Sequence, residues 1–351
     1  MKKLSLLLVL LLSLGLFLAA CGGDNAGDAN ETDSGSEEES GSEESSGSEE
    51  DSSGEEASAG EDWEENVTLL TGGEAGTYYP LGVAMADIMT ENVDGVSANG
   101  VSSGASVVNA NELSDGNAEF GLLQNDIAYY AHDGSHMFEE VVDGFSGVFT
   151  MYPETIQLVT LADNGIETVD DLKGKRVAVG DVGSGTEANA NQILGAYDIT
   201  YDDINEEFMG FGDASTALQD GNIDAAFVTA GTPTASIQEL AASADVKIVG
   251  LSDEKIDQLI DEYPYYTRVD LDEDTYDSFD ATASTVAPLA MLVVRDELPE
   301  DQVYELTKAI FNNLDDLANA HVRGEDITLD SAQDGMSIDL HPGAKKFYDE
   351  Q

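Results

Sequence analysis

The chain has 351 residues, with 13 Lys and Arg against 72 Asp and Glu, a formal net charge of −59 and a single cysteine. That length suffices for two domains that each bury a core. The charge excludes nucleic acid as a partner, because no basic patch exists to meet phosphates, and one cysteine leaves neither a disulfide nor a thiolate metal site.

The first element in chain order is an address. Lys2 and Lys3 precede an apolar run from Leu4 to Leu18, too short for a comfortable membrane span and flanked as a secretory signal is. Leu18-Ala19-Ala20-Cys21 resembles the processing box of a bacterial lipoprotein, which makes residues 1–20 a signal peptide and Cys21 the lipid-bearing start of the mature chain. The alternative is an ordinary signal peptide with an incidental cysteine. From Gly22 to Asp62 there is no Lys, Arg or large apolar residue, and sixteen positions are Asp or Glu. Such a stretch buries too little apolar surface to offset its ordering entropy, so residues 21–62 are expected to be a lipidated, disordered acidic tether. Together these features predict an extracytoplasmic body anchored to the cell membrane. That body, from Trp63 onward, still carries 56 acidic against 11 basic residues. Like charge of this density strains a compact state at low salt; in about 1 M salt the Debye length falls to about 3 Å and the strain fades. The composition therefore predicts a halophilic source.

Within the body one program runs twice. A strand at Val67–Leu70 leads into "TGGEAGTYYPLG" (Thr71–Gly82), where Pro80 suits a first helical turn. A strand at Val177–Val179 leads into "GDVGSGTEANA" (Gly180–Ala190), where Ser184 or Thr186 is available as a cap. Downstream of each lies a helix end, an Asp-Gly-Asn turn and a short apolar strand: "ELSDGNAEFGLLQND" (Glu112–Asp126) and "ALQDGNIDAAFVTAG" (Ala217–Gly231). Glycine in those turns is free to take the left-handed conformation that ends a helix. Alternating strands and helices imply mostly parallel sheets, which bind ligands beyond the carboxyl ends of their strands. Two α/β lobes facing across a cleft would put both glycine turns and both post-strand stretches on its walls.

Enzyme readings fare worse on the same residues. "GDVGSGT" lacks the Lys before Ser or Thr that a phosphate loop needs, and "TGGEAG" lacks the first Gly-x-Gly of a dinucleotide turn. The four histidines show no placement beside a serine and an acid. His132 and His136, with Asp133 and Glu139 nearby, have metal-capable spacing, but Gly134 interrupts their helix and they are read as solvated loop residues. No catalytic residue, metal ligand or cofactor is assigned, and a metal-dependent enzyme is the disfavoured alternative.

"TGGEAGTYYPLG", "SSGASVVNANELSDGNAEFGLLQNDIAYYA" from Ser102, "YPE" from Tyr152, "VDDLKGKRVAVGDVGSGTEANA" from Val169, "VYELTKAIFNNL" from Val303 and "LHPGAKKFYDE" from Leu340 together resemble the TAXI class of solute-binding proteins, which serve tripartite ATP-independent periplasmic (TRAP) transporters. The resemblance implies a two-lobed α/β fold like that of periplasmic binding proteins, a type II Venus flytrap with a hinge and a central cleft. Lobe I would comprise residues 63–159 plus 293–351 and lobe II residues 160–292, with crossing segments near Leu158–Ala162 and Pro288–Val294. It implies no catalysis, a monomer, and delivery of a small polar solute to a TRAP membrane permease, carboxylates of the glutamate or 2-oxoglutarate class being favoured. A ligand-sensing protein reporting to a membrane receptor would use the same fold. Ligand-binding residues carried over are Thr71, Gly72, Gly73, Thr77, Tyr78, Ser103, Ser106, Gln124 and Asp126 from the first lobe, and Ser184, Gly185, Thr186, Thr229 and Gly231 from the second. Unpaired N–H groups at helix starts favour an anion, whereas Glu74 and Asp181, inside the two glycine turns, leave the ligand's charge open. Asp126 would accept from an ammonium group. Arg268 and Arg295 are the cations to test against the cleft, Lys173, Lys175 and Arg176 lie at a strand's amino end away from it, and His341 is expected to be structural.

Overall fold

The computed structural model describes residues 60, 62–277, 279 and 281–351, all within one unit spanning Gly54–Gln351. The signal peptide, Cys21 and all of the acidic stretch except Gly60 and Asp62 lie outside the described residues. Among those described, no helix is long and apolar enough to cross a membrane.

The first half runs β1 (Asn66–Leu70), α1 (Tyr78–Asn92), β2 (Ser97–Val101), α2 (Ser106–Ser114), β3 (Phe120–Gln124), α3 (Asn125–Asp133) and β4 (Phe145–Pro153). Next come β5 (Thr155–Leu161), β6 (Arg176–Ala178), α4 (Gly185–Ala196), β7 (Asn205–Glu207), α5 (Phe211–Gln219), β8 (Ala225–Ala230), α6 (Ala235–Ala241), β9 (Val246–Val249) and α7 (Asp253–Glu262). The chain closes with β10 (Thr267–Leu271), β11 (Ala283–Ala287), β12 (Leu289–Arg295), α8 (Glu300–Asn312), α9 (Leu314–Ala320) and α10 (Pro342–Asp349).

Two five-stranded sheets have the same plan. The first is ordered β2-β1-β3-β12-β4 and the second β7-β6-β8-β5-β9. In each, three strands are parallel and the fourth runs antiparallel to both neighbours. The central strands β3 and β8 are buried at every position, as expected of parallel strands covered on both faces. The repeat extends to the turns. α2 and α5 are nine residues each and end in the same hydrogen-bond pattern: Gly116 and Gly221 take φ of +74° and +69°, while Asn117 N–H reaches the Glu112 carbonyl (2.9 Å) and Asn222 N–H the Ala217 carbonyl (2.8 Å). This is the glycine-ended helix stop that satisfies orphan carbonyls. Arg176 fastens the second of these turns to β6 through the Gly221 carbonyl (2.9 Å) and Asp224 (2.7 Å).

The fourth strand of each sheet is where the chain passes between them. β5 belongs whole to the second sheet and β12 whole to the first, so boundaries at 159/160 and 292/293 would cut both strands; the passes lie instead at Glu154 and at Pro288. The two passes touch, Glu154 N–H donating to the Pro288 carbonyl at 2.8 Å. The sheets pack separate cores. Phe149, Phe311 and Phe347 stack under the first, and Phe227, Leu172 and Ile193 lie under the second. Emptying one such buried Phe position costs about 3–5 kcal/mol.

Candidate functional site

A cavity of about 420 Å³ lies between the carboxyl ends of the two sheets. The first sheet contributes the β1–α1 turn, the start of α2 and Gln124 at the end of β3. The second contributes Asp181 and Ser184–Thr186 of the β6–α4 turn, residues 210–213 at the start of α5, and Thr229 at the end of β8. Glu154, the one residue between β4 and β5, also lines it. The walls bond across the cavity's margins. Val108 N–H donates to the Gly183 carbonyl (3.2 Å), Thr77 Oγ1 to the Gly231 carbonyl (3.1 Å), and Gln124 Nε2 to Asn189 Oδ1 (3.0 Å). Arg323 adds a bond to the Thr232 carbonyl. The lobes are thus drawn together around the cavity.

Of the residues expected from sequence, Gly72, Gly73, Thr77, Tyr78, Ser103, Ser106, Gln124, Ser184, Gly185, Thr186 and Thr229 all line this cavity. Three do not. Thr71 is fully buried beneath the turn, where its Oγ1 donates to the Val101 carbonyl (2.9 Å) and its own carbonyl accepts from Asn109 (2.7 Å) and Ser103 (3.0 Å). Asp126 is also fully buried, because α3 begins immediately after β3 and turns its side chain inward; it accepts from Ile127 N–H (2.9 Å) and from Asn189 Nδ2 (3.3 Å) across the lobes. Burial pushes its carboxyl up to about 7. Gly231 marks a close passage instead of a ligand contact, since a Cβ there would stand 2.9 Å from both Tyr152 and Arg323.

Sequence reasoning missed Glu154 and the Gly210–Asp213 start of α5. The signal for the first was the "YPE" stretch at Tyr152; for the second it was the equivalence of α5 to α2, whose start was named. Glu154 is 3% exposed. Burial pushes its carboxyl up to about 8, although Tyr152, Tyr78 and Gln124 stand near enough to offset part of the rise. None of them makes a well-formed hydrogen bond to its Oε1. Glu154 Oε1, Tyr78 OH, Tyr152 OH, Gln124 Oε1 and Thr229 Oγ1 are all buried without a partner among the described residues. Native interiors rarely leave such atoms unpaired; Glu154, Tyr78, Gln124 and Thr229 line the cavity, and Tyr152 does not.

Beside this cluster, at the start of α4, lie donors. Ser184 Oγ caps α4 by accepting Glu187 N–H (3.1 Å), while the amides of Gly185 and Thr186, in the first turn, have no intrahelical acceptor. Helix geometry there favours a carboxylate. The charged lining residues are Glu74, Glu154, Asp181 and Asp213, and no Lys, Arg or His lines the cavity among the described residues. Burial raises the Asp181 carboxyl, with a smaller push from Asp213. Arg268 is held elsewhere by Asp253 (2.7 Å) and Asp270 (3.1 Å), and Arg295 by Glu119 (3.4 Å) and the Gly116 carbonyl (3.0 Å). His341 is buried and caps α10 by accepting Gly343 N–H (3.2 Å). His136 is exposed in the turn after α3, as expected, with its ring 4.0 Å from that of Tyr130, whereas His132 belongs to α3 and is half-buried, its ring edge-on to Phe145 at 4.7 Å.

A model of the NMT1-like family matches residues 69–351. Among solved structures, MatC from Rhodopseudomonas palustris with bound malate is similar, with a TM-score of 0.50 at 14% identity over 81% of this chain and 97% of that one. A protein from Bordetella bronchiseptica RB50 gives 0.50 at 17% identity over 82% of each chain. The periplasmic aliphatic sulphonate binding protein SsuA from Escherichia coli gives 0.42 at 14% identity, over 82% of this chain and 79% of that one. The two-lobed α/β architecture expected from the sequence, that of periplasmic binding proteins, is the one this chain adopts.

Proposed function

The chain belongs to the NMT1-like family, and from that premise we propose that it is an extracytoplasmic solute-binding lipoprotein that captures a small polar solute between its lobes. The observation that carries this reading is the cavity itself: both lobes line it, hydrogen bonds join them at its margins, and unpaired buried polar atoms face into it. The solute is an organic acid or amino acid, its carboxylate received by the amides at the start of α4. Cys21 carries the lipid anchor, and the acidic composition suits a halophilic source. Ligand bridging the lobes favours the closed state, and a permease that distinguishes closed from open couples capture to delivery.

The TAXI resemblance assigns that permease to the TRAP type. Calorimetry of the full chain in about 2 M salt, where charge repulsion is screened, is expected to detect binding within a panel of organic acids and amino acids; silence across the panel would remove the capture reading. Uptake into vesicles reconstituted with a TRAP-type permease is expected to require the chain and an ion gradient. Uptake that needs ATP would remove the TRAP assignment.

A further inference from the structure

We propose that the captured solute bears a protonated amine, received by Glu154 at the cavity floor. The inference rests on the solute-capture reading and narrows its ligand class to solutes that carry an ammonium group, setting aside acids that lack one.

The polar atoms around Glu154 sort by what they accept and donate. Glu154 is 3% exposed, lines the cavity, and its Oε1 has no partner. Beside it, Gln124 is 2% exposed; its Nε2 spends one of its two N–H groups on Asn189 and its Oε1 has no partner, so the carboxamide can both donate and accept. The hydroxyls of Tyr78 and Thr229, both unpaired and both on the lining, accept or donate. An ammonium group offers three donors and no acceptor, which matches two carbonyl-type oxygens and a hydroxyl. A carboxylate placed there would meet the like charge of the Glu154 carboxylate, which an ammonium group would neutralise.

Charge points the same way. The remaining charged lining residues, Glu74, Asp181 and Asp213, are acidic. The groups packed around Glu154 are Tyr78, Tyr152, Gln124 and Asp126, none of them cationic. Arg323, which reaches Tyr152, spends its guanidinium on the Thr232 carbonyl and on Asp326 (2.9 Å). A buried carboxylate without a cation is costly and is relieved by a charged, hydrogen-bonded partner. The solute supplies that partner. Burial holds the Glu154 carboxyl near 8 even with Tyr152, Tyr78 and Gln124 beside it, in agreement with a site that wants a cation.

The test uses the full chain in high salt and matched pairs that differ by the amine: L-glutamate with 2-oxoglutarate, L-alanine with pyruvate, and putrescine with butane-1,4-diol. At least one amine-bearing member is expected to bind, with its amine-free counterpart weaker by about 100-fold or more, since a site built to pair a polar group rejects analogues lacking it. In Glu154→Gln that preference is expected to shrink at least about tenfold, the charged acceptor being gone. An amine-free member of the wild-type panel binding within about tenfold of its partner would overturn the proposal, as would an undiminished preference in a folded Glu154→Gln. If no member binds, the capture reading itself fails; if organic acids bind regardless of the amine, only this inference does.

Discussion

In the first lobe, the turn between β1 and α1 reaches the cavity with its helix uncapped by any side chain, and the Thr77 hydroxyl crosses to the Gly231 carbonyl. In the second, the turn between β6 and α4 caps itself through Ser184 and leaves two amides open. Strand order, turn placement and helix stops repeat between the lobes, yet the chemistry does not. The first lobe and the crossing bring Tyr78, Gln124, Glu154 and the rim carboxylate Glu74, while the second brings a self-contained helix start, the Thr229 hydroxyl and the carboxylates of Asp181 and Asp213. Repeating a backbone plan fixes where groups point; side chains then divide the labour between the lobes.

The largest test of that division concerns Glu154. Its carboxyl has an ordinary value of 4.5 and about 8 in the fold, so its contribution to stability is full below pH 4.5 and is lost as pH rises toward 8. The loss is on the order of 5 kcal/mol at most. Urea unfolding of the solute-free chain is expected to show wild type weakening across that window and Glu154→Gln flattening the dependence; parallel curves would place the acceptor cluster outside the cavity's energetics. A smaller effect separates the two glycine turns. A Cβ on Gly185 would overlap the Gln124 carboxamide, itself held by Asn189, whereas one on Gly73 meets nothing within 4 Å. Gly185→Ala is expected to weaken solute affinity by about 1–3 kcal/mol and Gly73→Ala to leave it unchanged in calorimetry, and equal losses would erase the asymmetry.

Ala105, at the start of α2, sits at φ +66° and ψ −148°, a conformation that suits glycine. Ala105→Gly is therefore expected to raise the unfolding free energy by about 1 kcal/mol, and a lowered melting temperature would show that the strain is absent. Smallest is Arg268→Ala. Its guanidinium is tied to exposed carboxylates on the second lobe, so stability should change by less than about 1 kcal/mol and solute affinity not at all. A lost affinity would put a cation in a cavity lined by acids.

Much of the repeat was legible because it is local: glycine turns, Asp-Gly-Asn helix stops and apolar strands each announce themselves within a dozen residues. The fourth strands did not. β5 and β12 run antiparallel inside otherwise parallel sheets, and their placement depends on pairings such as Val159 with Ala226 and Leu292 with Leu122, far apart in the chain. Glu154 was hidden for the same reason, since its role follows from Pro288 lying beside it. Asp126 illustrates the converse error. Its position after an apolar strand matched the pattern of a cleft residue, but a helix beginning one residue earlier than such a loop would require turned it into the lobe contact with Asn189.

Glu154 is also the whole of one pass between the sheets. The backbone torsions on that pass are the ones that aim its carboxylate, with Pro153 just before it fixed in its own φ and the Pro288 carbonyl accepting from the Glu154 N–H. A molecule that takes hold of this side chain would therefore act at the join between the sheets and not at the rim of the cavity.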